Sequence, residues 1–284
     1  MIQDISPHKL HNEFRPGEMP QADSIVILFR KELLLADVRD NELFLPLWKD
    51  FPTISRYVYL FTLDETDVFL CLDEEQTAPE GYDFYPLRDL RRKAGGPQER
   101  MFAAYTAVHL YHWYSANRFC GSCGNRTVPA PDERAMDCPA CGKRIYPRIQ
   151  PAVIVGVTNG DSLLITRYAD RPLAIPALVA GFAEIGETLE ETVAREVMEE
   201  TGLQIRNLRY YKSQPWGIAD DLLAGFYCDV DGDPTVRLDR HELKEAVWIP
   251  RGQIEGQPDD FSLTNEMMMT FKAGREPRGC ALPE

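Results

Sequence analysis

The sequence predicts a protein of mixed α+β or α/β class, with a β-rich N-terminal domain and a layered C-terminal domain. Three observations support this prediction. Short apolar runs separated by polar residues fill the first ninety-odd positions, a pattern typical of β-strands. Two closely spaced cysteine pairs follow in the middle of the chain. Beyond them, strand-like and helix-like segments are mixed, as in domains that layer helices on a sheet.

Length and composition limit the classes of function. The 284 residues are enough for two or three domains. Hydrophobic residues make up 44% of the chain and charged residues 27%, which is a normal balance for a globular protein with a sizeable core. The formal net charge of −14 argues against general binding of nucleic acids or anionic membranes.

The sequence also bears on the cellular compartment. No apolar run approaches the roughly 20 residues that span a bilayer. The N-terminus has no apolar segment typical of a secretory signal, and the C-terminal Leu-Pro-Glu matches no retention or peroxisomal signal. We therefore expect a cytoplasmic protein with no membrane partner.

The N-terminal segment is predicted to be mostly β-strand. The basic run 88–93 is expected to be a solvated linker, although a local basic patch is the alternative. Gly95-Gly96-Pro97 marks a boundary, and apolar residues then recur at helical spacing from Gln98 to about Asn117. The predicted strands are 24–29, 33–37, 56–63, 67–72 and 82–87.

Two histidines lie on this predicted helix. His109 and His112 stand at i and i+3, so they could bind a metal together. No third ligand is close in sequence, and the helix is rich in aromatic residues. We expect both histidines to take part in packing.

The two cysteine pairs indicate a metal site. Cys120 and Cys123 form one C-x-x-C pair, Cys138 and Cys141 form the other, and fourteen residues separate them. In a reducing compartment such a cluster indicates metal binding rather than disulfides. Four thiolates complete a tetrahedral Zn²⁺ site and leave no open coordination position, so one structural zinc ion per chain is predicted.

A new apolar pattern begins after the cysteines. Asn159-Gly160 follows a strand-like run at 152–158 and precedes another, which predicts a hairpin with a type I′ turn at these two residues. Further strands are predicted at 178–180, 208–214, 222–230 and 245–250, and a last helix at about 263–273.

The stretch from Gly181 to Leu203 contains seven glutamates in 23 residues. A capping box of Thr188 and Glu191 predicts the start of a helix, and Gly202 is suited to end it. Leu189, Val193 and Val197 form an apolar stripe that can pack on a sheet.

Three of these glutamates share one face of the predicted helix. Glu196, Glu199 and Glu200 stand at i, i+3 and i+4, where like charges repel. Such a density of hard oxygen ligands suits Mg²⁺ or Mn²⁺ held together with substrate phosphates. The alternative is an exposed charged helix, but that kind of helix normally alternates the signs of its charges.

These residues resemble the complete Nudix box. The pattern is Gly181, five residues, Glu187, seven residues, and then the run Arg-Glu-Val-Met-Glu-Glu-Thr-Gly-Leu at 195–203. The chain is therefore similar to the Nudix hydrolases, which hydrolyse nucleoside diphosphates linked to another moiety. The resemblance implies a loop–helix–loop on an α/β/α sandwich.

A narrower resemblance covers residues from about 118 to 272. The four-cysteine ribbon and the later Ser-Gln-Pro-Trp at 213–216 are similar to the NADH pyrophosphatase (NAD⁺ diphosphatase) branch of this family. That branch usually continues with Pro-Phe-Pro and, two residues on, a serine. This chain instead reads Gly-Ile-Ala-Asp-Asp at 217–221, which bears on its preference among NADH, NAD⁺ and other dinucleotides.

The resemblance also implies a homodimer, with a site built from both subunits as a further possibility. Together with the sequence pattern, it divides the chain into five segments. The predicted segments are an N-terminal β-rich domain (1–96), a connecting helix (97–118), a zinc ribbon (119–148), a Nudix domain (149–276) and a C-terminal tail (277–284).

The resemblance assigns roles around a catalytic Mg²⁺ or Mn²⁺. The backbone carbonyl of Ala180 and the carboxylates of Glu196 and Glu200 would bind the metal, and Glu199 would share the cluster. Glu242 matches a further metal-ligating glutamate, although an exposed acid before a strand is the alternative. Arg195 would orient a neighbouring glutamate and Glu187 would support the loop. The predicted catalytic residues are Glu187, Arg195, Glu196, Glu199 and Glu200.

Two aromatic residues are candidates for the substrate pocket. Phe182 and Trp216 are expected to stack on the nicotinamide ring, since aromatic faces suit a flat heterocycle and attract its cationic, oxidised form. Packing in the core or in a loop is the alternative for each. The remaining predicted substrate-binding residues are Gln214, Pro215, Gly217, Ile218, Ala219, Asp220 and Asp221.

The resemblance thus implies hydrolysis of NAD(H) to AMP and nicotinamide mononucleotide. One alternative keeps the chemistry and removes NAD caps from RNA 5′ ends, which would need a local basic channel. A second is a catalytically idle regulator that binds a nucleotide, although a repulsive metal cluster has no use in such a protein. A third is a zinc-ribbon module for nucleic acid, which the acidic charge disfavours.

Overall fold

The computed structural model describes residues 1–73, 75–93, 96–169 and 175–278. It divides into two compact units. The N-terminal unit comprises Ile2–Arg148 and Trp216–Asp220, and the C-terminal unit comprises Met1, Ile149–Pro215 and the chain from Asp221 onward. The predicted mixed class of strands and helices is confirmed. The finer division into five segments stays a prediction.

The N-terminal unit is rich in short strands, as predicted. In the described residues one sheet has the order β1-β6-β7-β2, and a second has the order β3-β4-β5 with β8 paired to β4. Apolar side chains of both sheets, among them Val26, Cys71 and Leu35, pack in a common core. The strands are β1 (Leu10–His11), β2 (Ile25–Ile27), β3 (Phe29–Arg30), β4 (Leu33–Arg39), β5 (Glu42–Phe44), β6 (Tyr57–Leu63), β7 (Thr66–Cys71) and β8 (Asp83–Pro86).

The basic run after β8 is a helix, so the prediction of a linker was wrong. Helix α1 spans Leu87–Lys93. Leu87 and Leu90 are buried at i and i+3, which gives this short segment one apolar face to pack on the sheet. Helix α2 spans Gln98–Ala116, in agreement with the predicted bounds.

The cysteine region follows α2 as a small antiparallel sheet in the order β11-β10-β9. Its strands are β9 (Val128–Pro129), β10 (Met136–Asp137) and β11 (Arg144–Ile145). Arg144 on β11 donates to Asp137 on β10 and to Asp132. These charged contacts join the strands of the ribbon, which is too small to have a large apolar core.

The C-terminal unit has a sheet with helices on its two faces. The sheet order is β15-β16-β12-β13-β17, with β14 also paired to β12, and β12 runs parallel to β16. Its strands are β12 (Gln150–Asn159), β13 (Ser162–Tyr168), β14 (Val179–Phe182), β15 (Gln204–Trp216), β16 (Asp221–Asp231) and β17 (Leu243–Pro250). Its helices are α3 (Leu189–Thr201) and α4 (Leu263–Lys272).

Strand β12 shows how this layering arises from sequence. Val153 and Val155 pack in one core cluster with Val193 of α3. Ile154, between the two valines, packs in a different cluster with Met267 of α4. Because side chains alternate across a strand, an unbroken apolar run buries both faces of the sheet under opposite helices, as in an α/β/α sandwich.

The predicted hairpin forms one residue later than expected. Asn159 pairs with Ser162 across the strands, so the two loop residues are Gly160 and Asp161. Gly160 has φ of +57°, while Asp161 is not among the residues with positive φ. Positive φ at the first loop residue alone is the pattern of a type II′ turn, which favours glycine there. The expected type I′ turn at Asn159-Gly160 was therefore wrong.

Among the residues that the structure describes, no helix is long and apolar enough to span a membrane.

Candidate active site

Helix α3 begins and ends as its sequence predicts. The Thr188 side chain accepts from the N–H of Glu191 at 3.2 Å, and the Glu191 carboxylate accepts from the N–H of Thr188 at 2.8 Å. At the other end Gly202 has φ of +69° and donates to the carbonyl of Met198. This capping fixes the start of a helix that holds three of the predicted catalytic glutamates.

Gly181, on β14, lies directly against the side chain of Glu196. A Cβ atom at Gly181 would come within 2.0 Å of the Glu196 carboxyl carbon and 2.1 Å of Oε1. No side chain fits at that distance. The first glycine of the box is thus required by the close approach of a carboxylate to the backbone.

Arg195 connects the glutamates of the box. Its Nε donates to Glu187 at 2.6 Å, and its Nη1 donates to Glu196 at 2.7 Å and to Glu199 at 3.0 Å. Its Nη2 donates to the carbonyl of Phe182 at 2.9 Å. One planar guanidinium therefore fixes the positions of three carboxylates and the end of β14.

Glu187 is held by neighbours and so supports the loop. Besides Arg195, it accepts from the N–H of Glu184 and from the hydroxyl of Thr192, each at 3.0 Å. The hydrogen bond from Arg195 is the main cause that lowers the pKa of Glu187 to about 2. Its oxygens are already occupied, which suits a positioning role.

Glu200 differs from the other glutamates because it is buried without a partner. Its side chain is 1% exposed, and neither carboxylate oxygen has a hydrogen-bond partner among the described residues. Burial, reinforced by the charges of Glu196 and Glu242, raises its pKa to about 8, and the nearby amide of Ala180 offsets a small part. Burial also raises the pKa of Glu196. A buried carboxylate of this kind needs a cation to become charged.

The remaining predicted metal ligands surround Glu200 less tightly. Glu199 is mostly exposed and bonds to Arg195, Glu242 is exposed, and Ala180 pairs with Ile154 in the sheet. Within the described residues, only the four cysteines bring three or more such ligand atoms within 4.8 Å of one another. The acidic groups therefore do not converge to that distance among the described residues, although the charges of Glu196 and Glu242 act on Glu200. A bound divalent ion would offset this repulsion.

The two predicted stacking residues belong to different units. Phe182 ends β14 in the C-terminal unit, and its ring is 50% exposed. Trp216 belongs to the N-terminal unit. There its ring makes an edge-to-face contact with Tyr105 at 5.2 Å, and the Arg91 guanidinium lies 5.3 Å from the ring centre.

Three of the predicted substrate-binding residues are buried, and their role in binding stays a prediction. Gln214 is fully buried and bonds to the backbone of Phe261 and Leu263 at the start of α4. Gly217 and Asp221 are also buried. Their burial leaves little surface for a ligand in this conformation, and the two hydrogen bonds of Gln214 give it a structural role. The residues that retain exposed surface are Pro215, Trp216, Ile218, Ala219 and Asp220.

The four cysteines of the ribbon converge in the N-terminal unit. Sγ of Cys120 lies 3.6 Å from Sγ of Cys141, and Sγ of Cys123 lies 3.5 Å from Sγ of Cys138. These distances exclude disulfides, whose sulfurs lie about 2 Å apart, and suit the roughly 3.8 Å edge of a tetrahedral zinc–thiolate site. A hydrogen bond from Asn125 lowers the pKa of Cys123 to about 6. Despite a backbone hydrogen bond from Lys143, hydrogen bonds with the other three cysteines raise the pKa of Cys141.

Sequence reasoning missed the contacts that α2 makes to residues 216–220. Tyr105 contacts Trp216, and His112 Nδ1 lies 2.7 Å from Asp220 Oδ1. The two α2 residues stand at i and i+7, on one face of the helix. That spacing was a visible signal, but nothing in the sequence indicated what the face would contact.

Comparison with known proteins identifies two family domains in this chain. Residues 148–269 match the family described as the NUDIX domain, and residues 115–146 match the NADH pyrophosphatase zinc ribbon domain. The chain is 34% identical over 240 residues to the NAD-capped RNA hydrolase NudC of Photobacterium profundum, and the match covers 82% of this chain and 88% of that protein.

Two further relatives are similar over a shorter region. NAD-capped RNA hydrolases NudC of Shigella dysenteriae and of an Enterobacter species are 43% and 44% identical over 141 residues, which is 50% of this chain and 54% of each relative. The domain matches and the long alignment with the Photobacterium protein identify the family. This chain belongs to the Nudix hydrolases, in the branch that has the NADH pyrophosphatase zinc ribbon.

Proposed function

We propose that this protein hydrolyses the pyrophosphate bond of NAD(H) and releases AMP and nicotinamide mononucleotide. The observation that carries the proposal is Glu200 of the complete Nudix box, a buried carboxylate for which the described part of the chain provides no side-chain hydrogen-bond partner. A protein that only binds nucleotides would gain nothing from burying this acid. A hydrolase that uses a divalent ion needs such ligands.

The residues present fit a bound Mg²⁺ or Mn²⁺. Glu196, Glu200 and the carbonyl of Ala180 would hold the ion, with Glu199 and Glu242 as further ligands. When bound, the ion would neutralise the pyrophosphate and lower the pKa of a coordinated water. Arg195 keeps the Glu196 carboxylate in place at 2.7 Å.

Substrate recognition is assigned to aromatic rings that keep some exposed surface. Phe182 offers a half-exposed ring that could stack on the nicotinamide or adenine. Trp216 is the second candidate, together with exposed neighbours in the same stretch. The further candidates for substrate contact are Pro215, Ile218 and Ala219, whereas the Asp220 carboxylate is already paired with His112.

We infer that the four cysteines hold one structural Zn²⁺ per chain, since their sulfurs are already at suitable distances. Thiolates of this kind persist in a reducing compartment, which supports a cytoplasmic location. We also propose a homodimer, on the basis of the family resemblance.

A second candidate substrate is an RNA with a 5′ NAD cap. It is favoured by the relatives in Photobacterium, Shigella and Enterobacter, which are named NAD-capped RNA hydrolases. The bond to be broken is the same pyrophosphate. The net charge of −14 weighs against broad affinity for RNA.

The test is product analysis by chromatography. The protein is incubated with NADH, NAD⁺, ADP-ribose, diadenosine polyphosphates and an NAD-capped RNA, each with Mg²⁺ or Mn²⁺. We expect AMP and reduced nicotinamide mononucleotide from NADH, and loss of both in a Glu200→Gln variant. If neither a dinucleotide nor the capped RNA is cleaved by protein that contains zinc, the proposed function is wrong.

A further inference from the structure

Residues Trp216–Asp220, here named the Trp216 turn, contain a single turn of 3-10 helix at Gly217–Ala219. The turn contains no proline, so no ring restricts its backbone. The N–H of Asp220 donates to the carbonyl of Gly217 at a long 3.3 Å. One such turn is not stable by itself, and its conformation must therefore depend on tertiary contacts.

Helix α2, in the same unit, supplies these contacts. A Cβ atom at Gly217 would lie 1.7 Å from the carbonyl oxygen of Tyr105, so the turn and the helix backbone are in direct contact. The Tyr105 ring meets the Trp216 ring edge to face at 5.2 Å. The first half of the turn is thus held by packing.

The second half of the turn is held by a hydrogen bond. His112 Nδ1 lies 2.7 Å from Asp220 Oδ1, and His112 Nε2 lies 3.0 Å from Glu32 Oε2. An imidazole ring between two carboxylates can donate a hydrogen bond to each of them when both of its nitrogens are protonated. Asp220 itself has φ of +58°, a left-handed conformation that aspartate tolerates better than most non-glycine residues.

We propose that His112 is a positioning residue that holds the Trp216 turn through Asp220 and so sets the affinity for the dinucleotide. The proposal rests on the proposed function, because it takes Trp216 as part of the substrate pocket. His112 does not contact the substrate in this scheme. Its effect passes through the hydrogen bond to Asp220, which lies four residues after Trp216 in the same turn.

The kinetic test compares His112→Ala, Asp220→Gly and the double variant. Glycine at 220 removes the carboxylate and accepts the positive φ without strain. We expect each of the three to raise the KM for NADH about tenfold, the effect of losing a charge-assisted hydrogen bond, with kcat within about twofold of wild type. Equal effects in the single and double variants would show that the two residues act as one unit.

Two further variants make the test specific. Asp220→Asn keeps an acceptor and tolerates the same backbone conformation, so it should restore most of the lost affinity. His8→Ala removes a comparable pair, in which His8 Nδ1 lies 2.8 Å from Asp64, and should leave KM unchanged. Additive effects of His112→Ala and Asp220→Gly, or no rescue by Asp220→Asn, would overturn the proposal.

Amide hydrogen exchange of the full chain gives a readout that needs no activity. In His112→Ala the amides at 217–220 should exchange about tenfold faster than in wild type. A raised KM with unchanged exchange would overturn the positioning role, because His112 would then act on the substrate directly. If wild-type protein cleaves no dinucleotide, the proposed function fails, and exchange at these amides still decides whether His112 holds the turn.

Discussion

Among the glutamates of the box, Glu200 has a pKa that its surroundings shift strongly upward. It stands one residue from Glu199, which is exposed and paired with Arg195, yet its own oxygens are buried and have no hydrogen-bond partner among the described residues. The same side chain type thus has opposite environments on adjacent positions of α3. A divalent ion would stabilise the charged form that burial disfavours.

This environment predicts the stability of a Glu200→Gln variant in the absence of Mg²⁺ and Mn²⁺. Because the pKa of Glu200 in the folded protein is about 8, above its usual 4.5, stability is lost as pH rises from about 4.5 to about 8. We expect Gln to raise the free energy of unfolding at pH 8 by about 1–3 kcal/mol. Urea titrations measure this difference.

The same titrations at pH 5 provide the control. There Glu200 is protonated in the folded chain, so Gln resembles it closely and the two proteins should unfold alike. A stability difference that does not change between pH 5 and pH 8 would contradict a buried, protonated Glu200.

Gly181 is a second position where one residue controls the site. A methyl group there would lie 2.0 Å from the Glu196 carboxyl carbon, so Gly181→Ala must displace that carboxylate. We expect turnover to fall about 100-fold, the typical effect of moving a catalytic group by about 1 Å. Steady-state assays with NADH test this.

Gly252→Ala is the matched control, because a Cβ at Gly252 would meet nothing within 4 Å. It should retain full activity, and circular dichroism should show both variants folded. Wild-type activity in Gly181→Ala would mean that Glu196 does not need its observed position.

At the scale of elements, α3 shows how local sequence sets a boundary. The capping box of Thr188 and Glu191 satisfies two backbone N–H groups at the start of the helix. Thr188→Ala should lower the free energy of unfolding of the C-terminal unit by about 1 kcal/mol. Denaturant titration measures this free energy. The exposed Glu190→Gln is the control, and its free energy of unfolding should stay within about 0.5 kcal/mol of wild type. Equal stability of the two variants would rule out a contribution from the cap.

The bounds of other elements were predicted less accurately from the sequence. Strand β15 begins four residues before its predicted start, because its exposed polar residues hide the apolar pattern that predicts strands. Helix α1 was missed because only Leu87 and Leu90 form its buried face, too short a pattern to distinguish from a linker. The hairpin loop lies one residue later than predicted because Asn159 pairs with Ser162 and so belongs to the strand.

At the scale of the whole molecule, the ribbon depends on the metal. Its strands have two residues each, so zinc must supply much of the stability. We expect Cys123→Ser to lose the bound zinc, measured by atomic absorption, and to lower the denaturant midpoint of the N-terminal unit. Ser122→Ala, in the same loop, should retain one zinc per chain. Full zinc content in Cys123→Ser would contradict the four-thiolate site.

The sequence by itself determined the features that depend on local spacing. The Nudix box, the cysteine pairs and the caps of α3 could all be recognised because the residues that act together lie within a few helical turns or one short loop. Local chemistry also predicted the mixed class of strands and helices, since the period of the apolar pattern follows from the geometry of each element.

Only the tertiary structure decided which carboxylate is buried, which predicted pocket residues face inward, and what holds the Trp216 turn. Glu199 and Glu200 look equivalent in sequence, and Gln214 looks as available as Pro215. Their burial depends on where β14, α4 and α2 lie, and Asp220 meets His112 from 108 positions away. Contacts across such separations are set by the packing of whole elements, and no short segment of sequence encodes them.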